Sequence, residues 1–156
     1  DLDLYGGVGL FTLALGGRFE RVALVELDAG ACRDAVNNIA RDESVRSRAA
    51  VHEGDLTEVL RPGGPLGDDA WRDAVCVVDP PRAGLGKDGT AAVLARRPAH
   101  VFYMSCDPAT QARDAAILVA AGYRPRQLRA LDMFPQSAHV ESLLWLEDAG
   151  EPAANP

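Results

Sequence analysis

The sequence predicts an α/β fold: a mostly parallel seven-stranded sheet with helices on its faces and an antiparallel pair at its C-terminal edge. Two observations carry this reading. Short apolar runs rich in Val, Leu and Ala alternate with segments of helical period through residues 1–121, each bordered by Gly, Pro or a capping residue. After Gly122 the alternation stops, and two strand-like runs follow one another with no helix between them, which calls for an antiparallel pair.

Taken in order, Asp1–Tyr5 reads as the first strand and Leu10–Leu15, beyond a glycine turn, as the first helix. Arg21–Glu26 is a Val-rich strand that hands over to a helix at Ala29–Arg41. Ala49–His52 and Leu56–Leu60 form the next strand and helix. The run Arg61–Asp69, with three Gly and two Pro, reads as a surface loop. Ala74–Asp79 is a strand stopped by paired prolines, and Lys87–Arg96 is the helix after it. His100–Ser105 and Ala109–Ala121 complete the alternating part, and Tyr123–Asp132 with Val140–Glu147 make the edge pair.

A chain of 156 residues is the size of one domain, placed here at residues 1–149 with 150–156 as a flexible tail. It opens directly in a strand with no leader, and so reads as a fragment whose upstream part is missing. No stretch is apolar for long enough to span a bilayer. Cys32, Cys76 and Cys106 are odd in number and lack CxxC spacing, so neither a disulfide framework nor a metal site is suggested, and a reducing, cytoplasmic setting is the simpler one. The net charge of −7 argues against strong nucleic-acid binding by this segment alone, because Lys and Arg on phosphate supply most non-specific affinity.

Asp3-Leu-Tyr-Gly-Gly-Val-Gly9 lies where the first strand meets the first helix, and glycines there let backbone approach a ligand closely. By itself such a turn is equally well a plain tight turn. Glu26 ends the second strand, where a carboxylate can accept from both hydroxyls of a ribose, though it also fits an exposed strand end. Asp55 follows the third strand, as a ligand or as a cap of the following helix, and Asp79 ends the fourth. Three acidic groups at successive carboxyl ends make a rim that disfavours pyrophosphate and suits a cationic cofactor.

The fifth strand ends at Ser105-Cys106-Asp107-Pro108, which puts a cysteine at the entry to a helix whose first-turn amides favour a thiolate. Cys106 is the candidate nucleophile, whereas Cys32 and Cys76 read as small buried hydrophobes. Between the last two strands, His139 and Glu141 are placed for acid–base chemistry, and His52 and His100 read as structural.

Four segments together resemble the RNA uracil-5-methyltransferase family: Asp3–Gly9, Asp79-Pro-Pro-Arg-Ala-Gly-Leu85, Ser105-Cys-Asp-Pro-Ala-Thr-Gln-Ala-Arg-Asp114 and Asp132-Met-Phe-Pro-Gln-Ser-Ala-His-Val-Glu141. The resemblance implies the Rossmann-like class I methyltransferase fold, S-adenosyl-L-methionine as cofactor and methylation of a uridine at carbon 5 in tRNA or rRNA. It further implies Cys106 as nucleophile, Glu141 as general base, and Tyr5, Gly6, Gly9, Glu26, Asp55 and Asp79 about the cofactor. An RNA partner would need an upstream region to grip it. This chain departs from the family in having Gly6 where Cys is common, which is harmless to the backbone role, and Asp107 where Asn is commoner, which sets a charge beside the thiol. Two other readings remain open on these residues: a class I methyltransferase with another acceptor, and a non-catalytic RNA-binding remnant of the fold.

Overall fold

The computed structural model describes residues 1–67, 71–133, 135–136 and 140–150. A seven-stranded sheet is built from β1 (Leu2–Leu4), β2 (Val22–Glu26), β3 (Ala49–Glu53), β4 (Val75–Val78), β5 (His100–Ser105), β6 (Tyr123–Leu131) and β7 (Glu141–Asp148). Its helices are α1 (Leu10–Leu15), α2 (Ala29–Ala40), α3 (Leu56–Leu60), α4 (Gly86–Arg96) and α5 (Pro108–Ala120). The strand order is β3-β2-β1-β4-β5-β7-β6; β1 to β5 run parallel and β7 is antiparallel to both its neighbours. The expected edge pair is present, with the later strand inside and the earlier one outside.

Every expected element forms, with ends that move by one or two residues. The first strand stops at Leu4 because Tyr5 takes φ +60, outside any strand geometry. The fourth stops at Val78, so Asp79 stands just beyond the sheet. A 3-10 turn at Gly16–Arg18, absent from the sequence reading, closes α1. The expected Arg61–Asp69 loop is, over its described residues 61–67, a run of turns and bends with four of the seven residues exposed. Within its described part the chain folds back, Leu66 donating its amide to the Val59 carbonyl (3.0 Å), and Leu66 is buried beneath Trp71. Trp71 is itself covered by the Arg21 guanidinium, 4.4 Å from the ring centroid. Gly150, the last described residue, donates its amide to Asp148 Oδ1 (3.0 Å); the rest of the expected tail, residues 151–156, lies outside the described ones.

Side chains alternate across each strand, as the pleat demands. Leu2 and Leu4 of β1, Cys76 and Val78 of β4, Val101 and Tyr103 of β5, and Leu144 and Leu146 of β7 join Leu56, Val59, Val93 and Leu118 in one core with α3, α4 and α5. The opposite parity faces α1 and α2 at the β2 side of the sheet. Beside α1 it lines an open apolar cleft of about 340 Å³ with Phe11, Leu15, Phe19, Val77, Phe102 and Met104. No helix among the described residues is long and apolar enough to cross a membrane.

Candidate active site

The chain begins at the sheet centre, runs out to β3 and returns on the other side of β1, so the strand order reverses between β1 and β4. Ligands in open α/β sheets bind outside the carboxyl ends at such a reversal. There the structure gathers Tyr5 and the glycine turn after β1, Glu26 at the end of β2, Asp55 after β3, Asp79 after β4 and Cys106 after β5. Glu141 arrives from the other direction, as the first residue of β7.

Glu26 is held by two backbone amides, Gly7 donating to Oε2 (2.9 Å) and Asp28 to Oε1 (2.8 Å). Each oxygen keeps a second lone pair, so the carboxylate is oriented yet still able to accept from a diol. The turn beneath it is tight. A Cβ on Gly6 would lie 2.4 Å from Leu24 Cγ, so Cys does not fit there beside this Leu24, and Gly6 is a packing requirement rather than a neutral departure. Gly7, at φ +53, has open space where a Cβ would point, leaving a backbone cradle. Tyr5 holds a left-handed conformation that costs a non-glycine residue about 1 kcal/mol or more, and such strain gathers at ligand sites. Burial raises its hydroxyl pKa, with Asp55, Asp114 and Glu26 adding to the effect, so it stays a protonated donor.

Asp3 was not singled out from the sequence, although an Asp inside a central strand is the kind of buried polar residue that needs explaining. It is 1% exposed, and Oδ2 accepts the amide (2.9 Å) and hydroxyl (2.6 Å) of Thr12 on α1. Its Oδ1 is buried and has no hydrogen-bond partner among the described residues. Burial raises its pKa against the lowering pull of Thr12, and the charges of Asp79 and Glu26 add to the rise. For Asp55 the capping alternative is realised: Oδ1 accepts from the Thr57 amide (2.8 Å) and hydroxyl (2.5 Å), which lowers its pKa.

Around Cys106 the strand register is decisive. Ser105, the last residue of β5, pairs with Ser142 of β7, so Cys106 and Glu141 each lie one residue along the chain from the last rung of the β5–β7 ladder, at the same end of it. Asp79 is close enough to Glu141 to feel its charge; burial raises the Asp79 pKa first, and Glu141 second. His139 lies outside the described residues. The first-turn amides of α5, expected from the sequence to favour a thiolate at Cys106, have a nearer acceptor. They are taken by Asp107, whose Oδ1 caps the helix by accepting from Ala109 (2.9 Å) and Thr110 (3.2 Å). The other cysteines are inert by environment: Cys76 is fully buried with its thiol pKa pushed far up, and Cys32 points its sulfur at the Glu26 carbonyl (3.4 Å).

Helix α5 brackets the site in a way no local pattern announced. The Asp114 carboxylate, wholly buried, accepts from Leu85 N (2.8 Å), the Tyr103 hydroxyl (2.8 Å) and the Arg113 guanidinium (2.9 and 3.0 Å). Arg113 also donates to the Ala83 carbonyl (2.7 Å) and Thr110 to that of Arg82 (3.0 Å). The loop carrying Asp79 is thereby tied to the helix that follows Cys106. An open glycine cradle, an orphaned buried Asp3 oxygen and an oriented Glu26, all at an acidic rim, fit a cofactor with a ribose and a positive charge.

The family model for tRNA (uracil-5-)-methyltransferases matches residues 1–149. An uncharacterized RNA methyltransferase of Streptomyces avermitilis is 39% identical over 153 residues, covering 96% of this chain and 33% of that protein. The 23S rRNA (uracil(1939)-C(5))-methyltransferase RlmD of Pseudomonas putida is 40% identical over 152 residues, covering 94% of this chain and 31% of that protein. Among solved structures, the Pyrococcus abyssi tRNA (uracil-54, C5)-methyltransferase in complex with S-adenosyl-L-homocysteine superposes with a TM-score of 0.73 at 31% identity, over 93% of this chain and 33% of that one. This chain spans about a third of the length of each of these relatives.

Proposed function

The chain belongs to the tRNA (uracil-5-)-methyltransferase family, and on that premise we propose that residues 1–149 are the catalytic domain of an S-adenosylmethionine-dependent enzyme that methylates carbon 5 of a uridine in tRNA or rRNA. What supports this most is that the β5–β7 ladder ends at Ser105 and Ser142, so that a cysteine and a glutamate flank its last rung, with Asp79 near the glutamate, at the edge that carries Glu26 and the glycine turn.

The chemistry needs both residues, because an uracil C5 is a poor nucleophile while its ring stays conjugated. Cys106, having given its proton to solvent, adds through sulfur to carbon 6, and the displaced π pair becomes an enolate over carbon 5 and the C4 oxygen. When bound, S-adenosylmethionine supplies the methyl group that this carbon 5 accepts. Glu141 then takes the carbon 5 proton. The released pair re-forms the C5–C6 double bond, and the Cys106 thiolate leaves. Glu26 accepts from the ribose hydroxyls, Tyr5, Gly6 and Gly9 shape the turn that holds the nucleoside, and Asp55 and Asp79 complete the acidic wall facing the sulfonium.

RNA is the partner, gripped in large part by regions outside this acidic chain, and the free cysteines suit the reducing cytoplasm. The test uses the full-length protein with S-adenosylmethionine and an RNA bearing 5-fluorouridine. Fluorine does not leave as a proton does, so a covalent, methylated protein–RNA adduct is expected on a denaturing gel and by mass spectrometry, and Cys106→Ala should abolish it. No adduct, despite measured binding of cofactor and RNA, would sink the proposal.

A further inference from the structure

Behind Cys106 and Glu141 lies a buried polar cluster that the mechanism above does not use. Ser105, Gln111 and Ser142 are each no more than 5% exposed. Gln111 of α5 donates through Nε2 to the carbonyls of Tyr103 on β5 (2.8 Å) and Ser142 on β7 (3.4 Å). Two carbonyl partners fix the amide orientation, which leaves Oε1 to accept from the Ser142 hydroxyl (2.9 Å); the same hydroxyl also faces the Ser105 carbonyl (3.2 Å). The cluster therefore joins three elements at the last rung of the β5–β7 ladder, immediately behind the two residues that lie beyond it.

A strand end frays unless something holds it. Burying a glutamine amide and a serine hydroxyl is costly unless both are satisfied, and here they satisfy one another. Leu118, farther along the same helix, shows that α5 can pack on the sheet by apolar contact alone. A polar clamp at position 111 thus gains direction rather than burial.

We propose that Gln111 and Ser142 are positioning residues that hold Glu141 in register with Cys106, so that the glutamate reaches the carbon 5 proton of the adduct the cysteine has formed. The inference rests on the proposed reaction and predicts which half of it fails when the clamp is removed. Addition needs Cys106, which stays anchored by β5 and the α5 cap. Elimination needs Glu141, which pairs with Leu131 of β6 but whose nearest hold on β5 is through Ser142.

The test takes full-length enzyme carrying Gln111→Met or Ser142→Ala, with folding checked by thermal melts. With 5-fluorouridine RNA, where no proton has to be removed, adduct should form within about threefold of the wild-type rate. With ordinary uridine RNA, turnover should fall by about ten- to a hundredfold, the scale of loss for a misplaced catalytic group, and a methylated covalent protein–RNA species should accumulate. Ser142→Thr, which keeps the hydroxyl, should restore turnover. Equal loss of adduct formation and turnover, no loss of either, or failure of both variants to fold would overturn the assignment by making the cluster merely structural. Absence of any adduct with wild-type enzyme would instead overturn the proposed reaction itself.

Discussion

Asp79 and Glu141 belong to different elements, yet the charge on one is set partly by the other. Burial raises the Asp79 pKa, and the Glu141 carboxylate raises it further. Glu141→Gln removes that charge, so the Asp79 titration, followed by carbon-13 NMR of its carboxylate, should move down toward the ordinary range; an unchanged titration would leave burial as the only cause. The sign for stability follows from linkage. A carboxyl whose folded pKa exceeds its unfolded one is bound more tightly to its proton in the fold, so stability is greatest below the unfolded value and declines as pH rises through the folded one. Glu141→Gln should therefore lessen the decline in denaturant midpoint across that window. Asp3 acts in the same direction, because burial raises its pKa too.

Among the elements, α5 does the most to assemble the site, and its start depends on one residue. Asp107 accepts from two first-turn amides and Pro108 occupies the first helical position, a pairing that fixes where the helix begins and hence where Cys106 leaves β5. Asp107→Ala should cost about 1 kcal/mol in urea unfolding, whereas Asp107→Asn, an equally good cap, should stay within a few tenths. An equal loss in both would mean that the charge rather than the cap is what matters. An Asn at this position would serve the same local purpose, and the difference between the two is confined to the charge near the thiol.

At the scale of the whole molecule the sheet is covered unevenly. On one face α3, α4 and α5 close a continuous core, and on the other the cleft beside α1 stays open. Leu4, fully buried in the central strand, should be among the least replaceable residues: Leu4→Ala is expected to cost about 2–5 kcal/mol by urea unfolding. Leu128→Ala, exposed on the edge strand β6, should stay within about 0.5 kcal/mol. Equal effects at the two positions would contradict the core as described.

The features legible in the order of residues were local and sequential. Apolar periodicity placed each strand and helix to within a residue or two, glycines and prolines marked the turns, and the residues at strand tips, Glu26, Asp79 and Cys106, could be named because carboxyl ends of parallel strands share one edge. That β7 lies inside β6, which puts Glu141 and Cys106 at the same end of the β5–β7 ladder, follows from the three-dimensional fold alone. The same fold caps helices with Asp55 and Asp107 and buries Asp3 and Asp114, which no local pattern announces. The roles of Gln111 and Asp114 are not legible locally, because a polar residue inside an amphipathic helix reads as solvent-facing. Their partners Ser142 and Leu85 are 31 and 29 residues away, and hydrogen bonds over such separations leave no periodic trace in a sequence.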